Sequence, residues 1–429
     1  MLHKEPFFLT SDQDVFMIYI FVRVGSIHET PRLGGISHCV EHMIFKSSEK
    51  YDTKDILKTL TLVGNMYNAT TNRDLTNYFI HTTSEGARWK DATRLLMSMV
   101  FTPKIDEKEW KREKNVVLQE LYMTAEQEHT EENIFKTLIS HKHPYAYPVG
   151  GTYESVRNLT AKDLQEHHRR FYFDPERVSI VVSCPHKLKT EVKSLFTKIC
   201  CSWPVQSIRV PDNIPPIDIE PSIQFKNRSS AESVTIYMTF PTYNVREWKK
   251  LAAQNLLMNC LTESALYSIL MYELREKRGL VYSIRSDTET YDHMSINKIK
   301  FSTHKPDKIL YIIGKIMRVI NTIKNVGLEG KTFRFYKESY INSLKYLMTR
   351  HEYYFLISAF NHNYGVEHVS RKKYMDWIER LSNQDIVQAA RDTFNFTKMG
   401  LYIEGNLKHV NRDSIKQFHT KTSSSHQQT

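Results

Sequence analysis

A chain of 429 residues is long for one hydrophobic core and suits two domains. With 41% hydrophobic, 12% aromatic and 25% charged residues it has a globular balance, which excludes a wholly disordered chain. The formal charge of +11 is spread over short mixed clusters such as KEWKREK with no nucleic-acid-binding motif, so nucleic acid is not expected as the main partner.

No run reaches the ~18 apolar residues that would span a bilayer, so no membrane association is expected. The opening MLHKEPFFLTSDQDVFMIYI carries Lys4, Glu5, Asp12 and Asp14, unlike a secretory or transit segment. The chain is expected to begin directly on its first domain. The five cysteines (Cys39, Cys184, Cys200, Cys201, Cys260) are odd in number and lack metal-type spacing. They read as reduced thiols, so an intracellular, cytoplasmic setting is expected.

In chain order, MIYIFVRV (17–24) is β-rich and suits a strand. ISHCVEHMIFKS follows Gly34-Gly35 with helical spacing, and YDTKDILKTLTLVG reads as a second helix. NMYNATTNRDLTNYFIHTT reads as a strand pair turning near Asn72–Asp74, and KIDEKEWKREKNVVLQELYMTAEQEH as one long helix. WPVQSIRVPDNIPPIDIEP, with Pro204, Pro211, Pro215, Pro216 and Pro221, is a linker because proline removes ladder donors. Beyond it the order restarts: SVTIYMTF as a strand, LAAQNLLMNCLTESALYSILMYELREKRG as a long helix, then a strand pair and more helices.

The halves resemble each other. EWKREKNVVLQELYM (109–123) pairs with RFYKESYINSLKYLM (334–348), placing Glu113 on Glu338 and Glu120 on Lys345. This predicts an internal duplication with the chemistry in the first copy only. The expected division is 1–203, a linker 204–221, a homologous domain 222–412, and a disordered tail 413–429, whose end TKTSSSHQQT has nothing apolar to bury.

ISHCVEHMIF carries the sharpest signal. On a helix His38 and His42 stand one above the other, with Glu41 on the same face. Two neutral imidazoles one turn apart can bind one Zn²⁺, and Glu41 is placed to take a proton from a water there. A catalytic zinc needs a third protein ligand, which must come from elsewhere. Two histidines on a polar helix face are the alternative reading.

His-x-x-Glu-His is the inverzincin order, and around it the chain resembles the pitrilysin and insulysin family, most closely its two-domain processing-peptidase-like branch. The resemblance rests on VRVGSIHETPRLGGISHCVEHMIFKSSEKY, NMYNATTNRDLTNYF, REKNVVLQELYM, HPYAYPVGGTYESVRNLTAKDLQEHHRRFY and LMYELREKRGLVYSIRS. It implies an α+β fold of two duplicated α/β-roll domains joined by the Pro-rich linker, and a zinc-dependent endopeptidase with one Zn²⁺ per chain. The family's third ligand lies about 75–80 residues downstream on a second helix, which implies Glu120, with Glu113 supporting the site from behind. Asn68 and Ala69 match a sheet-edge pair that meets the substrate backbone. Arg275 and Tyr282 match a pair that holds substrate carbonyls and steadies the oxyanion. The larger family members close a chamber with four such domains, so this chain is expected to pair, as a homodimer or alternatively a heterodimer, around extended peptides. The rival readings are a non-catalytic scaffold subunit of the same fold and a basic binding module. The intact set His38, Glu41, His42 and Glu120 speaks against the first.

Overall fold

The computed structural model describes residues 5–64, 66–201, 210–263 and 267–424. Linker positions 204–209 and the last residues of the tail, 425–429, lie outside the described residues, and 210–221 form neither helix nor strand. The chain divides into two units. The first holds the residues up to Glu131, Lys142–Pro215 and His351–Glu367, and the second holds Glu132–His141, Pro216–Arg350 and the residues from His368 on.

The first unit runs β1 (Phe7–Ser11), β2 (Val15–Val22), α1 (Ile36–Ile44), α2 (Thr53–Val63), β3 (Met66–Thr71), β4 (Thr76–Thr83), α3 (Arg88–Phe101), α4 (Glu107–Lys136), α5 (Tyr153–Asn158), α6 (Ala161–Phe171), β5 (Val178–Pro185) and α7 (Lys189–Cys201). Its five-stranded sheet has the order β1-β5-β2-β4-β3, which leaves β3 on the edge. β2 is buried on both faces, as its unbroken apolar run requires. Phe16, Ile18, Ile20 and Val22 join the core with Val40, Met43 and Ile44 of α1. The hairpin turns where expected, because the Asn72 side chain accepts the N–H groups of Asp74 and Leu75.

The second unit runs β6 (Ile223–Asn227), β7 (Val234–Pro241), α8 (Trp248–Met258), the short α9 (Ile269–Met271), β8 (Ser283–Thr290), β9 (Ser295–Thr303), α10 (Ile309–Val326) and α11 (Gly330–Thr349). After α12 (His351–Asn363), which belongs to the first unit, come α13 (Arg371–Arg380), α14 (Asn383–Thr393), β10 (Gly400–Gly405) and α15 (Arg412–Ser424). Its sheet order is β6-β10-β7-β9-β8. Each position repeats the first sheet, down to the single parallel pair β1/β5 against β6/β10. The duplication is therefore a property of the fold.

Four details differ from the sequence reading. The units exchange segments instead of dividing at the linker. Phe355 and Phe360 of α12 pack on Tyr19 and Phe21 of β2, covering the sheet face opposite α1. Likewise Ile134, near the end of α4, clusters with Tyr237 and Tyr402 of the second sheet, and the hydroxyls of Thr137 and Thr239 meet at 2.6 Å. Both sheets need both faces covered, and a helix end from the other stretch of sequence does it.

The long helix expected over 251–279 is interrupted by π-helical turns at Asn259–Glu263 and Tyr272–Glu276. Leu256, Leu257, Met258, Cys260, Leu261 and Thr262 are all buried, which is more than one α-helical face can present, and a wide turn re-aims them. The tail expected to be disordered is helical through Ser424, because Ile415 and His419 are buried and Phe418 packs on the second core. Finally, the repeat register slips by two residues. Lys114 caps the carbonyls of Arg157 and Leu159 as Lys337 caps those of Glu379 and Leu381. The partner of Glu113 is thus the buried Tyr336, not Glu338, and that of Glu120 is Ser343, not Lys345.

Candidate active site

α1 carries three of the expected residues, and its start is unusual. Gly35 holds φ 83°, and a Cβ there would lie 2.2 Å from the Gly150 carbonyl oxygen. A Cβ on Gly151 (φ 80°) would lie 2.4 Å from the Gly34 oxygen. Two Gly-Gly pairs thus cross backbone against backbone, which no side chain permits. Gly35 cannot cap the helix, so the buried carboxyl of Glu29 does, accepting the N–H groups of Gly35 (2.6 Å) and Ser37 (2.9 Å). Burial still pushes that carboxyl up to about 7, against the pull of those donors.

Just inside the helix, His38 Nε2 and His42 Nε2 lie 3.2 Å apart. Glu120 of α4 brings Oε2 to 3.2 Å from His42 Nε2 and Oε1 to 3.8 Å from His38 Nε2. Among the described residues this is the one group of three or more donors able to share a metal ion, all within 4.8 Å of one another. Zinc bonds of ~2.05 Å give a tetrahedral edge of about 3.3 Å, so the donors fit that metal. The charge fits too: among the described residues the cleft sets the carboxyls of Glu41, Glu113 and Glu120 against the single ammonium of Lys46.

Glu113 is buried behind His42. Its Oε1 accepts the Nδ1–H of His42 at 2.9 Å, which leaves the Nε2 lone pair facing His38 and Glu120. Its Oε2 takes Lys46 Nζ at 2.6 Å. Burial pulls the His42 pKa down, but the Glu113 hydrogen bond and three carboxylates outweigh it and raise it. Burial, then the neighbouring His42, hold His38 down to about 4, so it stays neutral. Among the described residues the buried His38 Nδ1 has no hydrogen-bond partner, so His42 is the better anchored of the two.

Glu41 faces β3. Thr71 Oγ1 donates to Glu41 Oε2 at 2.5 Å. Burial raises the Glu41 carboxyl above its ordinary value, and Thr71 and His42 only partly offset it. Asn68 and Ala69 line the same cleft of about 530 Å³, Asn68 exposed and Ala69 buried, together with Phe45 and Tyr67. The Asn72 N–H bonds the Leu75 carbonyl, so across the preceding peptide the Thr71 carbonyl points away from β4. By alternation Ala69 and Tyr67 also turn their N–H and C=O groups to the free edge. Among the described residues the N–H and C=O groups of Tyr67 and Ala69 thus border the cleft without a strand partner.

Arg275 and Tyr282 lie in the second unit, where the guanidinium stands 5.7 Å from the Tyr282 ring centroid. Arg275 sits on a π-helical turn, and Tyr282 is 72% exposed. The structure brings these two to each other within that unit.

Three residues escaped the sequence reading. Lys46 is one helical turn past His42 and was readable from that spacing. Thr71 shares a strand face with Ala69, a weaker signal. Glu29 has none, since its link to Gly35 and Ser37 is made by a loop.

Family models match both halves of the chain. Residues 9–152 match the insulinase model (peptidase family M16), and 158–339 match the M16 inactive-domain model. An uncharacterized zinc protease of Bacillus subtilis is 26% identical over 333 residues, 76% of this chain and 78% of its own. Another from Rickettsia bellii is 23% identical over 400 residues, 91% of this chain and 92% of its own. The crystal structure of a peptidase M16 inactive domain from Pseudomonas fluorescens superimposes with a TM-score of 0.81 at 17% identity, covering 93% of this chain and 95% of that one. The repeated sheets and the two family matches agree, and the chain belongs to the insulinase (M16) family of peptidases.

Proposed function

We propose that the protein is a zinc-dependent endopeptidase that hydrolyses extended, unfolded peptides. The observation that carries this is the convergence of His38, His42 and Glu120 on one point, with Glu41 beside them and an unpaired strand edge along the cleft. Bound by those three residues, zinc supplies the Lewis acidity that lowers the pKa of a water toward 7 and polarises a peptide carbonyl.

The chain's own groups do the rest. Tyr67 and Ala69 offer main-chain hydrogen bonds to an extended peptide, which need no particular sequence, while Asn68 reaches it with its side chain. Glu41, raised by burial, takes a proton and delivers it to the leaving amine. Glu113 fixes the His42 tautomer and ring orientation. Arg275 and Tyr282 hold substrate carbonyls and steady the developing oxyanion.

One Zn²⁺ per chain and a chamber closed by a second chain complete the reading, with a homodimer preferred and a heterodimer as the alternative. Among the described residues no helix is long and apolar enough to cross a membrane. Cys39, Cys184 and Cys260 are buried free thiols, which supports a reducing, cytoplasmic setting.

The test is a mixture of unstructured peptides offered to wild type and Glu41→Gln, each with and without a zinc chelator, with cleavage read by mass spectrometry. Loss of cutting in the mutant and on chelation supports the proposal. A wild type that binds zinc and cuts nothing supports a scaffold subunit or a missing partner chain, and one that binds no zinc refutes the metal site.

A further inference from the structure

We propose that Thr71 is a positioning residue that aims the Glu41 carboxylate, tying proton transfer to the strand on which the peptide docks. The inference rests on the peptidase reading and goes beyond it, since Thr71 touches neither the metal ligands nor the bond to be cut.

The geometry commits the Thr71 hydroxyl to this task. Its Oγ1 lies 2.5 Å from Glu41 Oε2, and a carboxylate can only accept, so the threonine donates. The neighbouring hydroxyl of Thr76 does not compete for that carboxylate. Thr76 Oγ1 is 2.9 Å from the Val24 carbonyl and 3.5 Å from Thr71 Oγ1, so its single proton goes to Val24. The Thr71 backbone N–H also bonds this carboxylate, so the hydroxyl adds a second tether from the same residue that fixes its orientation. A hydrogen bond to a charged acceptor of this length is among the stronger kinds.

The link also joins two elements. Glu41 is on α1 and Thr71 ends β3, the sheet-edge strand whose outward groups at Tyr67 and Ala69 face the cleft. A peptide pairing with that edge loads the strand that holds the proton-transfer group, so docking and alignment act on one rigid segment. A site held to within a fraction of an ångström by such a contact loses rate when the contact is removed, without losing its ligands.

The experiment compares Thr71→Val, which keeps shape and deletes the hydroxyl, with Thr71→Ser, which keeps the hydroxyl. Steady-state kinetics use a peptide that wild type cuts, and zinc content is measured by mass spectrometry on each purified protein. Expected for Thr71→Val is a kcat ~10–100-fold lower, with KM within about twofold and zinc content unchanged. Thr71→Ser is expected to recover kcat to within about threefold. In the Glu41→Gln background, Thr71→Val is expected to lower the residual rate no further.

Unchanged kcat in Thr71→Val overturns the proposal. So does an equal loss in the serine variant, or a loss that appears in KM or in zinc content. Should the valine variant not fold, Thr71→Ala carries the same expectation. A wild type that cuts nothing overturns this proposal together with the peptidase reading. A wild type that cuts while Glu41→Gln does not leaves that reading standing, and the valine variant alone then decides Thr71.

Discussion

The two units repeat one strand order around two different interiors, and α4 and α11 show how little separates them. Lys114 closes the carbonyl end of α5 as Lys337 closes that of α13. Each lies over an aromatic ring one turn earlier, Trp110 or Phe333. Thr160 with Asp163, and Ser382 with Asp385, form the same capping box on the helix that follows. At the buried position between these shared features stands Glu113 in one unit and Tyr336 in the other. α8, in the place of α1, buries Ala252, Ala253, Leu256 and Leu257 and has no histidine. The fold is thus carried by caps, lysines and apolar positions common to both copies, and the candidate metal site by a few side chains that one copy holds.

The largest effect that would sharpen this contrast is on Glu41. Glu41→Gln is expected to lower kcat by ~10³-fold or more while zinc content and melting temperature stay near wild type. Retained activity would break the contrast, because the first unit's chemistry would then not depend on its own acid.

Next come two changes at the start of α1, where the second unit has no counterpart. Gly35→Ala places a Cβ in a left-handed residue against the Gly150 carbonyl and is expected to destabilise the fold by ~3 kcal/mol or more, read by chemical denaturation. Glu29 gives a pH signature. Its folded carboxyl titrates near about 7, above the ordinary carboxyl range, so burial favours the neutral form. That stability is complete below the unfolded pKa, falls as pH rises because the native state holds a proton the unfolded chain has released, and is lost above about 7. Melting temperatures from pH 5 to 8.5 should decline in wild type, and the slope should flatten in Glu29→Gln. An identical slope in the variant would remove Glu29 as its source.

Glu113→Gln is expected to weaken zinc affinity by ~10–100-fold, measured by competition with a chelator, since the amide no longer holds His42 as a charged acceptor. The effect should exceed that of changing any residue beside His38 other than the candidate ligands and Glu41, since among the described residues its Nδ1 has no hydrogen-bond partner to lose.

The fold class and the pairing of His38 with His42 are legible because their signals are short-range: period-2 strands, a His-x-x-Glu-His turn, a Pro-rich break. Glu120 and Glu113 came through the family resemblance, as no local pattern links α4 to α1. Thr71 and Glu29 were hidden because each acts across a loop or a sheet. The register slip arose from matching the chemical likeness of Leu-Tyr-Met with Tyr-Leu-Met, when the structure pairs the copies by what they bury, Trp110, Val117 and Leu121 against Phe333, Tyr340 and Leu344. The π-helical breaks after α8 followed from too much apolar sequence in a row, which helical spacing alone reads as one continuous helix.

The smallest effect tests the shared half of the comparison. Thr160→Ala and Ser382→Ala each delete a side chain that accepts the N3 N–H of the helix it opens, at 3.2 Å and 3.3 Å. Each also removes the hydroxyl that donates to the Asp163 or Asp385 carboxylate, which goes on accepting the cap residue's own N–H. Each should cost about 1 kcal/mol. Because α6 packs on α1 in the first unit and α14 packs on α8 in the second, the two losses should match in stability and differ in function. Only Thr160→Ala should touch zinc affinity, by loosening the support beneath His38 and His42. Equal losses of stability with a metal effect confined to the first would show that the copies share their scaffold and not their site. A metal effect from Ser382→Ala of the same size would mean that the second unit's scaffold bears on the zinc as directly as the first's.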